Sequence, residues 1–253
     1  MCGRFAITSP PVAIRAAFDY GEQPNFPARH NIAPTQPVGV VLMEQGTRHY
    51  RLMRWGFVPS WVKDPRTFTL LINARAETVR EKPAFRNAIR RRRCLIPADG
   101  YYEWHIVGNQ KHPYFIYPRN NEPIGFAAIA ETWSGPNGEE VDTVAIVTAA
   151  AKGGLAMLHH RAPVIIEPGD FARWLDCASV NVNEAMAVMV APSERAFAWH
   201  RVSRHVNRVG NDDARLIAPL SEQQLADEAP APKAKPASRK QNAADDSGQG
   251  SLF

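Results

Sequence analysis

Gly125-Phe126-Ala127-Ala128-Ile129-Ala130-Glu131-Thr132-Trp133 and, after a short polar break, Thr143-Val144-Ala145-Ile146-Val147-Thr148-Ala149-Ala150 are the stretches on which the fold turns. Both are short, apolar and β-branched or aromatic, with Gly, Pro or Asn in the flanking segments, as strands are. The same reading extends to VGVVLM (38–43), HYRLMRW (49–55), TLLINARA (69–76), YYEWHIV (101–107), PYFIYP (113–118) and PVIIE (163–167). Eight such runs joined by loops rather than by regular helices argue against a doubly wound sheet. Helical periodicity is confined to residues 11–20, 83–93, 168–176 and 182–190. Ser9 before Pro10 and Pro11 reads as the start of the first of these helices. The expectation is one α+β domain over residues 1–224, a β-rich, barrel-like mixed sheet with flanking helices and no internal repeat.

From Leu225 onward the composition changes to Ala, Pro, Lys, Asp and Ser. Such a segment cannot bury enough apolar surface to offset chain entropy, so residues 225–253 read as a disordered linker. Its four basic residues (Lys233, Lys235, Arg239, Lys240) balance four acidic ones (Asp227, Glu228, Asp245, Asp246). The net charge of +5 therefore resides in the folded part, the footprint of a polyanionic partner. With 253 residues, 45% of them hydrophobic, there is chain enough for a core without staples. Cys2, Cys94 and Cys177 are too few and too scattered for a disulfide framework, and with no Cys-x-x-Cys pair a structural zinc site is not expected. No cofactor or metal is implied. No apolar run reaches the roughly 20 residues of a membrane helix, and the start of the chain lacks the plan of a signal peptide, so a soluble cytoplasmic protein is expected.

Cys2 follows the initiator methionine. Methionine aminopeptidase removes Met1 before a small side chain, so the mature chain is expected to begin at Cys2. An α-amine of pKa about 8 would then stand beside a thiol of pKa about 8.5. Such a 1,2-aminothiol captures aldehydes twice, the amine as a Schiff base and the thiolate by closing a thiazolidine. Equally, the thiol could be a peptidase or amidohydrolase nucleophile with the amine as its base. The plain alternative is a small residue at a frayed end. Gly3 and Arg4, suited to close backbone approach and to phosphate, favour a chemical role. Cys94 and Cys177 sit in apolar contexts and read as packing cysteines.

Other polar groups fall into clusters. Asn73, Arg75 and Glu77 share one face of a strand by its period of two. Glu103 is the only acid in an aromatic stretch, where apolar surroundings raise a carboxyl toward acid–base use, though a salt-bridged strand glutamate is the commoner case. His159 and His160 precede a buried strand with no further ligands at metal spacing. The segment from Trp199 to Asn207, with Ser203 and His205, reads as a basic loop suited to phosphates. Trp61 lies in an aromatic run near basic residues, where platforms can hold unstacked bases, while most of the six tryptophans belong to the core. Arg90 to Arg93 read as a solvated helix end.

Together Cys2-Gly3-Arg4-Phe5, Asn31-Ile32-Ala33-Pro34, Arg54-Trp55-Gly56, Ile72-Asn73-Ala74-Arg75-Ala76-Glu77, Pro97-Ala98-Asp99-Gly100-Tyr101-Tyr102-Glu103-Trp104, Val147-Thr148-Ala149-Ala150 and His159-His160-Arg161-Ala162-Pro163 resemble the SOS response-associated peptidase (SRAP) domain family, in order from residue 2 to about 220. The resemblance implies a protein that binds single-stranded DNA at abasic sites and crosslinks to them through the terminal cysteine; a monomer associated with the nucleoid is expected. It implies Cys2 as the nucleophile, surrounded by Asn73, Glu103 and His159. Under it Glu103 would shuttle protons, Asn73 would hold the aminothiol, and His159 would open the sugar or protonate the 3′ leaving phosphate, an associated lyase activity. Arg4, Arg75 and Arg161 would bind phosphates, with Asn31, Trp61, Ser203 and His205 as further DNA contacts. The family pattern has Asp or Glu after its histidine, where this chain has His160, which keeps His160 as a rival. With Met1 alone before Cys2, peptidase activity would be vestigial or directed at that bond. Gln249-Gly250-Ser251-Leu252-Phe253 resembles the peptide by which bacterial proteins dock on the DNA sliding clamp, with Gln249, Leu252 and Phe253 as anchors.

Overall fold

The structure is a computed structural model that describes residues 2–227. The chain divides into two units, residues 1–220 and 221–253. Of the second, only the stretch up to Asp227 is described, and Gln249, Leu252 and Phe253 lie outside the described residues.

The described strands are β1 (Phe5–Ile7), β2 (Arg29–Ile32), β3 (Pro37–Glu44), β4 (Thr47–Trp55), β5 (Asn73–Arg75), β6 (Arg93–Ala98), β7 (Gly100–Val107), β8 (Gln110–Pro118), β9 (Ile124–Ser134), β10 (Glu140–Ala150), β11 (Arg161–Pro163), β12 (Ile165–Ile166) and β13 (Phe197–Arg201). The helices are α1 (Pro11–Phe18), α2 (Ala88–Arg91), α3 (Leu155–Leu158), α4 (Phe171–Leu175) and α5 (Val182–Met186), with α6 (Glu222–Asp227) in the second unit. That helix spans the boundary at residue 224 expected for the linker.

Strands β10, β4, β3, β6 and β9 pair in that order, and β9 pairs back to β10, so five strands close a barrel. Every contact in the ring is antiparallel except β4 with β10, where Arg54 lies opposite Thr143. β5 continues along the same edge of β10, with Asn73 opposite Ile146. The two runs that suggested the barrel form its centre. Ile124–Ala130 of β9 and Thr143–Thr148 of β10 are buried without alternation. A strand covered on both faces carries apolar residues at every position.

A second, antiparallel sheet runs β13-β8-β7-β1-β2. It meets the barrel through aromatic rings: Phe5 of β1 packs edge-on against Trp55 at 5.3 Å and Phe126 at 5.7 Å. Tyr101 of β7, paired with Phe5, meets Phe126 at 6.1 Å. This aromatic layer holds the start of the chain between the two sheets.

Several local expectations change. The strand expected over residues 69–76 contracts to β5, and PVIIE divides into β11 and β12. β1, β2, β6 and β13 had no strand expectation, and the segment read as a basic loop from Trp199 begins inside β13. Helix α1 caps on Pro10 rather than Ser9, whose hydroxyl donates to Asp99 at 2.7 Å. The helix expected over 83–93 is only α2, because Arg93 is drawn into β6. Arg93 is not a solvated end but 1% exposed, its guanidinium donating to the carbonyls of Trp174, Ile89, Arg90, Asp176 and Val180. Cys94, as expected, is fully buried in the core.

Candidate active site

Three chain segments meet at Cys2. β1 and β7 lie side by side, Phe5 opposite Tyr101 and the Tyr102 N–H donating to the Arg4 carbonyl at 3.0 Å, so the residues before Arg4 run alongside Glu103. β5 approaches from the barrel, and the Asn73 side-chain amide donates to the Cys2 carbonyl at 3.0 Å. The turn between α3 and β11 supplies His159. Cys2 itself is fully buried, which sets aside the frayed end.

The electrostatics of the three titratable groups are coupled. Burial, and then the charge of Glu103, push the Cys2 thiol well above its usual range, while the amino-terminal charge and the Arg4 backbone N–H pull the other way. Glu103 is 3% exposed. Desolvation raises its carboxyl to about 7, against the opposing pull of the amino-terminal charge. A group near 7 can take and return a proton at neutral pH, as general acid–base work requires. His159 is half-buried, and its ring is held below the usual histidine value by burial and by the same amino-terminal charge. Its Nδ1 lies 3.0 Å from the Arg161 N–H and 3.2 Å from the Arg161 carbonyl, which holds the ring against the start of β11. His160 is exposed, its ring 4.2 Å from that of His159.

The remaining residues of interest separate into two groups. Some are used within the fold. Arg4 donates to Asn31 Oδ1 and to the Val206 carbonyl, both at 2.7 Å. Asn31 is 2% exposed, its amide donating to the carbonyls of Val206, Arg208 and Asn211. The pair thereby pins the segment that follows β13 beside the sheet. Arg161 is 9% exposed and forms a two-pronged ion pair with Glu77 at 2.6 and 2.9 Å, which holds the Glu77 carboxyl below its ordinary value. Glu77 thus lies beyond the end of β5, not on a strand face shared with Asn73. Ser203 caps a 3-10 turn by accepting the His205 N–H at 3.2 Å. Others face solvent: Arg75 and His205 are exposed, and Trp61 is 59% exposed with Phe68 edge-on at 5.8 Å.

Two polar groups of this neighbourhood carry no sequence signal of their state. Asn73 Oδ1 and the Tyr101 hydroxyl are buried with no hydrogen-bond partner among the described residues. A buried unpartnered atom is a property of packing, and no spacing rule finds it. Among the described residues no group of three metal-ligating side chains occurs, and no helix is long and apolar enough to cross a membrane.

Residues 1–209 match the family described as SOS response associated peptidase (SRAP). The chain is 34% identical to the Escherichia coli abasic site processing protein YedK, covering 87% of this chain and all of that one. It is 31% identical to the Bacillus subtilis abasic site processing protein YoaM, over 86% and 97% of the two chains. The chicken abasic site processing protein HMCES is 32% identical, over 87% and 78%. Among solved structures, a Bacteroides thetaiotaomicron protein superposes with a TM-score of 0.76 at 22% identity, over 87% of this chain and all of that one. Its identity is low enough that it speaks for the fold alone. By the extent of the match and the identity of its relatives, the chain belongs to the SOS response associated peptidase family.

Proposed function

We propose that this protein processes abasic sites in single-stranded DNA by forming a covalent thiazolidine through Cys2 once Met1 is removed. The observation that carries the reading is the junction at Cys2: a buried thiol next to a carboxyl at about 7, a histidine, and an amide that grips the Cys2 carbonyl. The names of the relatives supply the substrate class.

The chemistry balances without an external reagent. The open-chain sugar of an abasic site offers an aldehyde at C1′. The Cys2 amine adds to it, forming the C–N bond of a carbinolamine. Glu103 as the acid protonates the hydroxyl, the C–O bond breaks, and one water leaves an iminium. The carboxylate so formed takes the thiol proton, the sulfur adds to the iminium carbon, and the ring closes. Asn73 orients the aminothiol through its grip on the carbonyl. His159 assists sugar opening or protonates a 3′ phosphate leaving by β-elimination. Exposed Arg75, His205 and Trp61 are the DNA contacts favoured by their accessibility. Arg4, Asn31, Arg161 and Ser203 act by holding the surrounding segments. The terminal Gln249–Phe253 peptide would carry the domain to the sliding clamp.

The test is incubation of the processed full chain with a uracil-containing single strand treated with uracil glycosylase. A denaturation-resistant adduct is expected, lost in Cys2→Ala and absent on intact DNA. Peptide hydrolysis with no adduct would make the protein a cysteine peptidase instead, and binding indifferent to Cys2→Ala would make it a non-covalent reader.

A further inference from the structure

β7 carries two consecutive tyrosines with opposite fates. Tyr102 donates its hydroxyl to the His30 carbonyl at 2.5 Å. Tyr101, 1% exposed, has no hydrogen-bond partner for its hydroxyl among the described residues. Neighbouring strand residues project to opposite faces, so the two rings enter different surroundings. Tyr101 shares its face with Glu103, two residues on, and lies across from Phe5 of β1. Its ring is held edge-on against Phe126 at 78°, which fixes where the hydroxyl points. The charges of both Cys2 and Glu103 act on that hydroxyl. A phenylalanine would fill the same apolar layer without burying an oxygen. Burying a hydroxyl without a partner is costly, so a group that meets this oxygen only when ligand is bound explains its presence.

We propose that the Tyr101 hydroxyl is a further catalytic residue, a hydrogen-bond donor to the oxygen on the aldehyde carbon that Cys2 captures. The inference rests on the abasic-site reading above and extends it by one residue. As the amine adds, the C=O bond becomes C–O and charge gathers on oxygen. A donor already in place stabilises that charge with no reorganisation. The phenol keeps its own proton throughout. The proton that lets water depart comes from Glu103, so the balance of the reaction is unchanged. Burial, and then the charges of Cys2 and Glu103, raise the phenol well above its ordinary value, which keeps it a donor at every pH at which the amine reacts. Asn73 Oδ1 is another buried atom without a partner among the described residues, and it is an acceptor.

Tyr101→Phe removes one oxygen and none of the hydrogen bonds among the described residues. In single-turnover reactions at saturating abasic single strand, the variant of the processed full chain should form adduct slower by on the order of 100-fold. Its affinity for intact single-stranded DNA should match the unmodified chain, and its thermal midpoint should be equal or higher. The fall of rate above about pH 7, where Glu103 loses the proton it donates, should stay in place. Adduct formation at the unmodified rate would overturn the proposal. So would a slower rate matched by a lost thermal midpoint or lost DNA affinity, which would make Tyr101 structural. Absence of adduct with the unmodified chain would instead overturn the abasic-site reading and this inference with it, so the two failures are distinct.

Discussion

Glu103 shows how a single position can be adverse for stability and useful for chemistry. Its carboxyl moves from an ordinary 4.5 to about 7 on folding, because burial disfavours the anion. The folded state therefore binds the proton more tightly than the unfolded chain. The stability from that proton is fully present below about 4.5 and is lost as pH rises through about 7. At about 1.4 kcal/mol per pH unit this amounts to about 3 kcal/mol. Glu103→Gln should accordingly be more stable than the native chain by roughly that amount above pH 7, with the difference vanishing below pH 4.5, as read by denaturant unfolding. The same variant should form adduct more slowly and lose the fall in rate above about pH 7 that deprotonation of Glu103 causes. A variant no more stable at pH 8 than at pH 4 relative to the native chain would refute the burial account. Glu103 was legible as a candidate because an acid stands alone among aromatic residues. What was not legible is Tyr101, since its ring reads as core and only packing reveals an unpartnered hydroxyl.

At the scale of elements, the long strands were readable and the short ones were not. Ile124–Ala130 of β9 and Val144–Val147 of β10 are apolar at every position because they are covered on both faces, so their composition alone marks them. β1 and β5 span three residues each and are held by neighbours distant in sequence: Phe5 pairs with Ile32 and Tyr101, Asn73 with Ile146. No local pattern encodes such partners. Arg93 is the sharpest case, since four consecutive arginines suggest a solvated face and one of them is interior. Its guanidinium ties α2 to the segment around α4 through five carbonyls. Arg93→Met keeps the volume and leaves buried acceptors unsatisfied, at a cost of about 3 kcal/mol. Calorimetry should find the midpoint lowered by on the order of 10 °C. A change within about 2 °C would mean that solvent replaces these bonds.

For the whole molecule the division of labour follows charge and composition. The excess of +5 belongs to residues 1–224, and residues 225–253 are neutral. Deleting the last five residues should abolish retention on immobilised sliding clamp while leaving adduct formation unchanged; clamp retention by the truncated chain would discard the docking peptide. The amino-acid sequence by itself determined the β-rich class, the family and the identities of Cys2, Asn73, Glu103 and His159 as the residues of interest, because apolar runs and residue chemistry are local properties. Only the tertiary structure decided the barrel's closure of β9 onto β10, the internal hydrogen bonds of Arg4, Asn31 and Arg161, and the burial that takes Glu103 to about 7. Each of these depends on which distant segments come together and on how much water they exclude, and neither quantity is a property of any stretch of chain alone.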